Sequence, residues 1–164
     1  MPFFDRITQD FKKNKGNTKG KFFVLLFRTY SLLHGNKVTA FIFIPYFIFY
    51  KFFVEWLMGI EIPGTTVIGK GLQVYHGQSI VVHKNVIIGE NCVLRQCTTI
   101  GNATAEGGFP VIGNNVDIGC NVCIIGQINI GNNVVIGAGT VITKNVPSNC
   151  VIVGNPAGII KRIE

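Results

Sequence analysis

The sequence predicts an all-β fold, a left-handed parallel β-helix of hexapeptide repeats, with a short N-terminal α-helical region in front of it. Two rows of residues carry this reading. Ile112, Ile118, Ile124, Ile130, Ile136 and Ile142 stand six apart in an unbroken series. Neither an α-helix, with a period of about 3.6, nor a flat strand, with a period of about 2, gives that spacing. A chain that turns a corner every six residues does, and three corners close one triangular coil that stacks on the next. The second row lies three positions after the aliphatic one: Gly71, Gly77, Asn85, Asn91, Asn115, Asn121, Asn133, Gly139 and Asn145. A tight corner needs positive φ, which glycine adopts freely and asparagine tolerates. A turn-rich β-sandwich would not repeat its turns at a fixed interval.

Composition changes near residue 60, which sets the expected organisation: a helical cap over 1–60, the β-helix over 61–150 and a closing segment over 151–164. The first sixty residues hold twelve of the thirteen Phe, and nine Lys or Arg against three Asp or Glu. The remainder is nearly neutral and carries all five Cys.

Within the cap, residues 5–13 predict a short helix, 12–21 a basic flexible link and 21–34 a second helix. Residues 38–58 predict a third, with Pro45 as its break. The uninterrupted apolar run over 38–50 is shorter than the ~20 residues of a membrane span. A buried or interfacial helix is therefore the reading. Packing against the coil or another copy stands beside peripheral membrane contact through 1–60, with a true span the least supported.

The N-terminus lacks the pattern of a signal peptide. Five cysteines, an odd number, without a secretory signal point to reduced thiols in the cytoplasm, with association to the inner face of the membrane left open. Cys120 and Cys123 have a zinc-like spacing, but both fall inside regular repeats and no second pair follows, so they read as small filler. The basic residues cluster without a base-reading helix or aromatic sheet, so no nucleic acid is expected.

A regular coil has no pocket, so chemistry belongs where the pattern breaks. One break is a two-residue slip within 73–83, flanked by His76 and His83. The other is the loop over 101–110, which interrupts the row between Ile100 and Ile112. Histidine is the usual general base for taking a proton from a hydroxyl, although a corner histidine can equally be idle. Glu61 lies fifteen residues before His76. At ~18 residues per coil it falls on the neighbouring coil and out of register, so contact is open rather than forced. A carboxylate there would fix the imidazole tautomer.

The segments Glu61-Ile62-Pro63, Ile68-Gly69-Lys70-Gly71, His76-Gly77 and Thr98-Thr99-Ile100-Gly101-Asn102 resemble the serine acetyltransferase branch of the hexapeptide acyltransferases. Ile136-Gly137-Ala138-Gly139-Thr140-Val141 and Val153-Gly154-Asn155-Pro156-Ala157 extend the resemblance. It implies a homotrimer that transfers an acetyl group from acetyl-CoA to a hydroxyl without a metal. His76 matches the catalytic histidine, and Glu61 stands where the branch has its orienting aspartate. Asn102, Ala103, Cys120, Ala138 and Gly139 match coenzyme A contacts. Serine-specific members have an aspartate just before the histidine and an Arg-His pair ending the loop. Here Tyr75 and Gly108-Phe109 occupy those places.

A zwitterionic acceptor would lose its charge-assisted partners. An aromatic floor of Tyr75 and Phe109 suits a sugar ring. The pattern is most similar to colanic-acid and capsule-biosynthesis acetyltransferases, which implies a saccharide acceptor. Serine O-acetylation for cysteine biosynthesis remains the alternative. A zinc hydratase would need about three converging histidines. A non-enzymatic scaffold would need neither the loop nor the small-residue groove.

Overall fold

A computed structural model of the chain describes residues 2–163. Helix α1 (Phe3–Thr8) leads through turns to α2 (Thr18–His34), followed by α3 (Lys37–Ile42), α4 (Ile44–Tyr50) and a π-helical segment (Lys51–Leu57). The expected third helix is broken at Phe43. The ring of Pro45 cannot follow an unbroken helical turn, and it sits instead in the first turn of α4. The basic stretch expected to be a flexible link is pinned. Asn14 donates to Leu72 O at 2.7 Å and Asn17 to Val74 O at 2.8 Å, while the Asn17 side chain caps α2 by accepting from Gly20 N.

Five coils follow. The first contains β1 (Ile60–Glu61), β2 (Val67–Ile68) and β3 (Gln73–Tyr75). The second contains β4 (Ile80–Val82), β5 (Ile87–Ile88) and β6 (Val93–Arg95), and the third β7 (Thr99–Gly101), β8 (Val111–Ile112) and β9 (Asp117–Ile118). The fourth contains β10 (Cys123–Ile125), β11 (Asn129–Ile130) and β12 (Val134–Ile136). The fifth has β13 (Val141–Ile142), a single bridge from Val146 to Ile130, and β14 (Cys150–Val153). Equivalent strands stack in parallel into three sheets. The first runs β1-β4-β7-β10-β13 and the second β2-β5-β8-β11. The third runs β3-β6-β9-β12-β14 and ends in β15 (Gly158–Arg162), which is antiparallel. The chain is the parallel solenoid that its repeat predicts.

The isoleucine row faces inward: Ile88, Ile112 and Ile130 form one stacked column, and Ile100, Ile124 and Ile142 another. Full burial of each contributes roughly 1.5–3 kcal/mol. Of the nine predicted corner residues seven have positive φ, Asn85 and Asn145 do not, and Asn149, outside the predicted row, does. Asn91, Asn115, Asn133 and Asn149 all have φ between 55° and 59°. Asn115 donates to Asn133, and Asn133 to Asn149, through side-chain amides at 2.9 and 2.8 Å. The even period of 18 does not hold throughout. Ile68 pairs with Ile88, but Ile88 pairs with Ile112, because the second step absorbs the 101–110 loop.

The cap is seated on the first coil by one buried ion pair. Asp10, fully buried, accepts from Arg28 Nε at 2.7 Å, from Gly71 N at 2.6 Å and from Leu72 N at 3.0 Å. Arg28 continues to Ile68 O at 2.7 Å and Gly69 O at 2.6 Å. The lone pairs and N–H groups thus find partners, without which burying two charges would be strongly unfavourable. Tyr50 adds a second tie by donating to Ile62 O at 2.8 Å, and burial raises its pKa well above the ordinary phenol value.

Candidate active site

His76 follows β3 at the corner where the chain passes from the third sheet to the first. Its φ is 65°, and Gly77 and Ser79 follow at 69° and 56°. Val74 pairs with Leu94 and Val82 with Ile100, so this corner holds two residues more than the corner stacked on it. Gly77 N donates to Tyr75 O at 2.8 Å, which tightens the turn. A Cβ on Gly77 would meet Ile60 Cδ1 at 2.7 Å, so the corner lies directly against β1. The extra residues push the His76 side chain into the open, where it is exposed. This is the slip that the sequence marks, and the positive φ values are its physical signature.

Three other expected residues stand on this same edge. Cys120 lies at the equivalent corner between β9 and β10, and Ala138 and Gly139 at the one after β12. Gly139 N donates to Cys120 O at 2.9 Å. Ala138 and Gly139 are exposed, and a Cβ on Gly139 would meet nothing within 4 Å. Small side chains therefore leave this edge of the coil open.

Tyr75 is half-buried on the third sheet, in register with Arg95, whose guanidinium lies 5.9 Å from the ring centre. Arg95 is also paired with Asp117. The Tyr75 hydroxyl donates to Gln73 Oε1 at 3.3 Å.

The opposite edge of the first sheet carries the loop over 101–110, between β7 and β8. Asn102 Nδ2 donates to Thr104 O and closes the start of the loop, and Ala103 is exposed beside Gly126 of the next coil. Phe109 folds back onto His83, with ring centres 4.2 Å apart and planes at 14°. His83 Nδ1 accepts from Asn85 N at 3.1 Å, so the neutral ring carries its proton on Nε2. Sequence reasoning had no way to pair these rings. The cue was available only in register, since His83 N donates to Ile100 O and so lies beside the residue from which the loop departs.

Glu61 lies on the outer face of β1, paired with Val81. It lines a groove of about 310 Å³ with His83 and Asn102. A second cleft of about 530 Å³, toward the cap, joins Glu61 to Glu55, Lys51 and Tyr30. Burial raises the Glu55 carboxyl above its ordinary value, Lys51 opposes the shift, and the nearby Glu61 charge adds to it. Among the described residues no hydrogen bond or ion pair joins Glu61 to His76. One chain thus holds His76, Cys120, Ala138 and Gly139 on one edge of the first sheet, and Asn102, Ala103 and Phe109 on the other.

No protein-family model matches the chain. A protein of Escherichia coli K12, WcaB, described as a colanic acid biosynthesis acetyltransferase, is 40% identical over 116 residues, which are 70% of this chain and 72% of WcaB. The chain belongs to the hexapeptide-repeat acyltransferases. Serine acetyltransferase of Synechococcus elongatus is 38% identical over 65% of this acyltransferase and 44% of its own length. The solved serine acetyltransferase of Neisseria gonorrhoeae superposes with a TM-score of 0.80 at 27% identity, over 98% of this chain and 67% of that one. Acetyl transfer is therefore the activity of this acyltransferase. No group of three or more His, Cys, Asp or Glu able to hold a metal occurs among the described residues.

Proposed function

We propose that the chain transfers an acetyl group from acetyl-CoA to a sugar hydroxyl, with His76 as general base. The observation that carries the reading is the split of the site between two edges of one sheet. A corner with an exposed imidazole and an open small-residue edge lies on one side, and an aromatic loop on the other. Three chains around an axis would set the His76 edge of one against the loop of its neighbour, and the homotrimer supplies the complete site. The open edge past Cys120, Ala138 and Gly139 fits the thin pantetheine arm of acetyl-CoA, and Asn102 and Ala103 face it from the neighbouring loop.

His76 takes the acceptor's hydroxyl proton as the oxygen bonds to the thioester carbonyl carbon. Collapse of the tetrahedral adduct breaks the C–S bond, and His76 returns the proton to the departing thiolate. Backbone N–H groups of the corner or loop hold the oxyanion. Among the described residues Glu61 makes no bond to His76 within one chain and lines the groove beside His83 and Asn102, so it orients the imidazole of the neighbour's His76 once the trimer closes.

A sugar is the acceptor because the half-buried rings of Tyr75 and of Phe109, the latter stacked on His83, offer aromatic surface to its C–H groups. A saccharide of surface polysaccharide, of the colanic-acid or capsule type, agrees with the likeness to WcaB. The likeness to serine acetyltransferases favours serine as a second reading. Against it, the loop over 101–110 carries no cation for a carboxylate, its one charged residue being Glu106.

Coenzyme A release is measured with acetyl-CoA and either hexose acceptors or free serine. Turnover on sugars with little on serine is expected, and efficient serine acetylation would overturn the acceptor. His76→Ala is expected to lower kcat by about 10²–10⁴ while acetyl-CoA binding persists. Unchanged turnover would remove the mechanism.

A further inference from the structure

The cap leaves a long apolar face uncovered. Phe41, Ile44, Ile48, Phe52 and Trp56 run along the outer side of α3, α4 and the π-helical segment, and all are exposed, Phe41 and Trp56 to 77% and 75%. From Ile44 onward they recur every four residues, which keeps them on one side of a helix. The other side of the same segment is buried through Tyr50 and Val54. Ile48, Phe52 and Trp56 frame an almost wholly apolar hollow of about 230 Å³, with Lys51 at its border. An exposed patch of this kind marks an interaction surface.

The charge around the face says what covers it. Helix α2 runs antiparallel to the segment, because Tyr30 packs on Phe47, Tyr46 donates to Leu26 O, and Phe22 packs on Phe53. The N-terminal end of α2, with Lys19 and Lys21, therefore lies beside the Trp56 end. Lys37 opens α3 at the other end. Of the three acids in the first sixty residues, Asp10 is consumed by Arg28 and Glu55 is half-buried beside Lys51, which leaves Asp5. Against them stand Lys19 and Lys21 at one end of the face, Lys37 at the other and Lys51 at its border. A second copy would bring the same cationic rim against this one, and like charges face to face oppose association. A surface of apolar chains under anionic headgroups complements both the stripe and the rim.

We propose that this face docks on an anionic lipid surface and lies within its interface. No helix among the described residues is long and apolar enough to cross a membrane, so the contact is peripheral. Trp56 is the only tryptophan and sits in the stripe, so its emission reports the contact directly.

The test mixes the full chain with vesicles of phosphatidylcholine alone, or of phosphatidylcholine with about one-third phosphatidylglycerol. Flotation and Trp56 emission are followed. Blue-shifted emission and flotation with the anionic vesicles, both reduced by salt, are expected. Ile48→Ser with Phe52→Ser should lower the partition coefficient by at least about tenfold. Lys19→Glu with Lys51→Glu should do so by a similar factor. Ile48, Lys51 and Phe52 are exposed and Lys19 is half-buried, and unchanged circular dichroism and turnover on a soluble acceptor will show that the variants fold. Unchanged emission with the protein left behind by anionic vesicles overturns the proposal. Equal flotation with phosphatidylcholine alone does so too. So does a blue shift that depends on protein concentration rather than lipid, which would assign the face to a second copy.

Discussion

Replacing Asp10 with alanine should separate the cap from the coil. The carboxylate accepts two N–H bonds from Arg28, at 2.7 and 3.2 Å, and two from the backbone of Gly71 and Leu72. Removing it leaves Arg28, only 7% exposed, holding a charge whose remaining partners are the carbonyls of Ile68 and Gly69. Breaking a buried pair from one side costs about 3–5 kcal/mol. For a chain of this size that lowers Tm by roughly 6–20 °C. The assay is thermal unfolding at fixed protein concentration, followed both by Trp56 emission, which reports the cap, and by far-ultraviolet circular dichroism, which also reports the coil. The exposed pair of Lys70 and Glu90, 3.6 Å apart, is the control, and Lys70→Ala should cost no more than about 1 kcal/mol. Gly71 and Leu72 lead directly into β3, so Asp10→Ala should also lower kcat by loosening the His76 corner. A loss of stability below about 1 kcal/mol, no larger than the control, would refute the reasoning.

Ala138→Leu should raise KM for acetyl-CoA severalfold with Tm nearly unchanged, because Ala138 is exposed on the open edge; an unaltered KM would move the cosubstrate elsewhere. Phe109→Ala removes the ring stacked on His83 and should raise KM for the acceptor more than it alters KM for acetyl-CoA, as steady-state kinetics on both substrates will show. Gly77→Ala should cost about 1–2 kcal/mol in urea unfolding, since its φ of 69° disfavours a side chain and the new methyl meets Ile60. Glu55→Gln should stabilise the protein at neutral pH. Burial raises the folded-state pKa of this carboxyl, so the folded chain binds the proton more tightly than the unfolded one, and stability falls as pH rises from the ordinary carboxylate range through the raised value. The advantage of the variant should therefore vanish in acid, and Tm measured across pH checks it.

The repeat made the coil legible because each signal is local. An aliphatic residue every sixth position and Gly or Asn three later determine wall and corner without long-range information. The same locality explains what escaped. Ile88 meets Ile112 rather than a residue 18 further on, because a projecting loop changes spacing without changing the core pattern. Asn14 and Asn17 lie in a stretch that reads as solvated, yet each reaches a carbonyl more than fifty residues away. Phe109 was legible as a loop residue, while its partner His83 depends on which coil the loop returns to. Glu61 makes no bond to His76 within one chain, where the corner's two extra residues shift the register, and the split of the expected residues between two edges was invisible until the sheets were assigned.

The last strand has a consequence for solubility. A stack of parallel coils ends in bare N–H and C=O groups, a template on which a second stack could grow. β15 covers β14 in the antiparallel sense, with Lys161 and Arg162 exposed on it, while the helices lie over β1 and β3 at the far end. Deleting 158–163 would uncover β14, and such a shortened chain should polymerise end to end into filaments visible by light scattering.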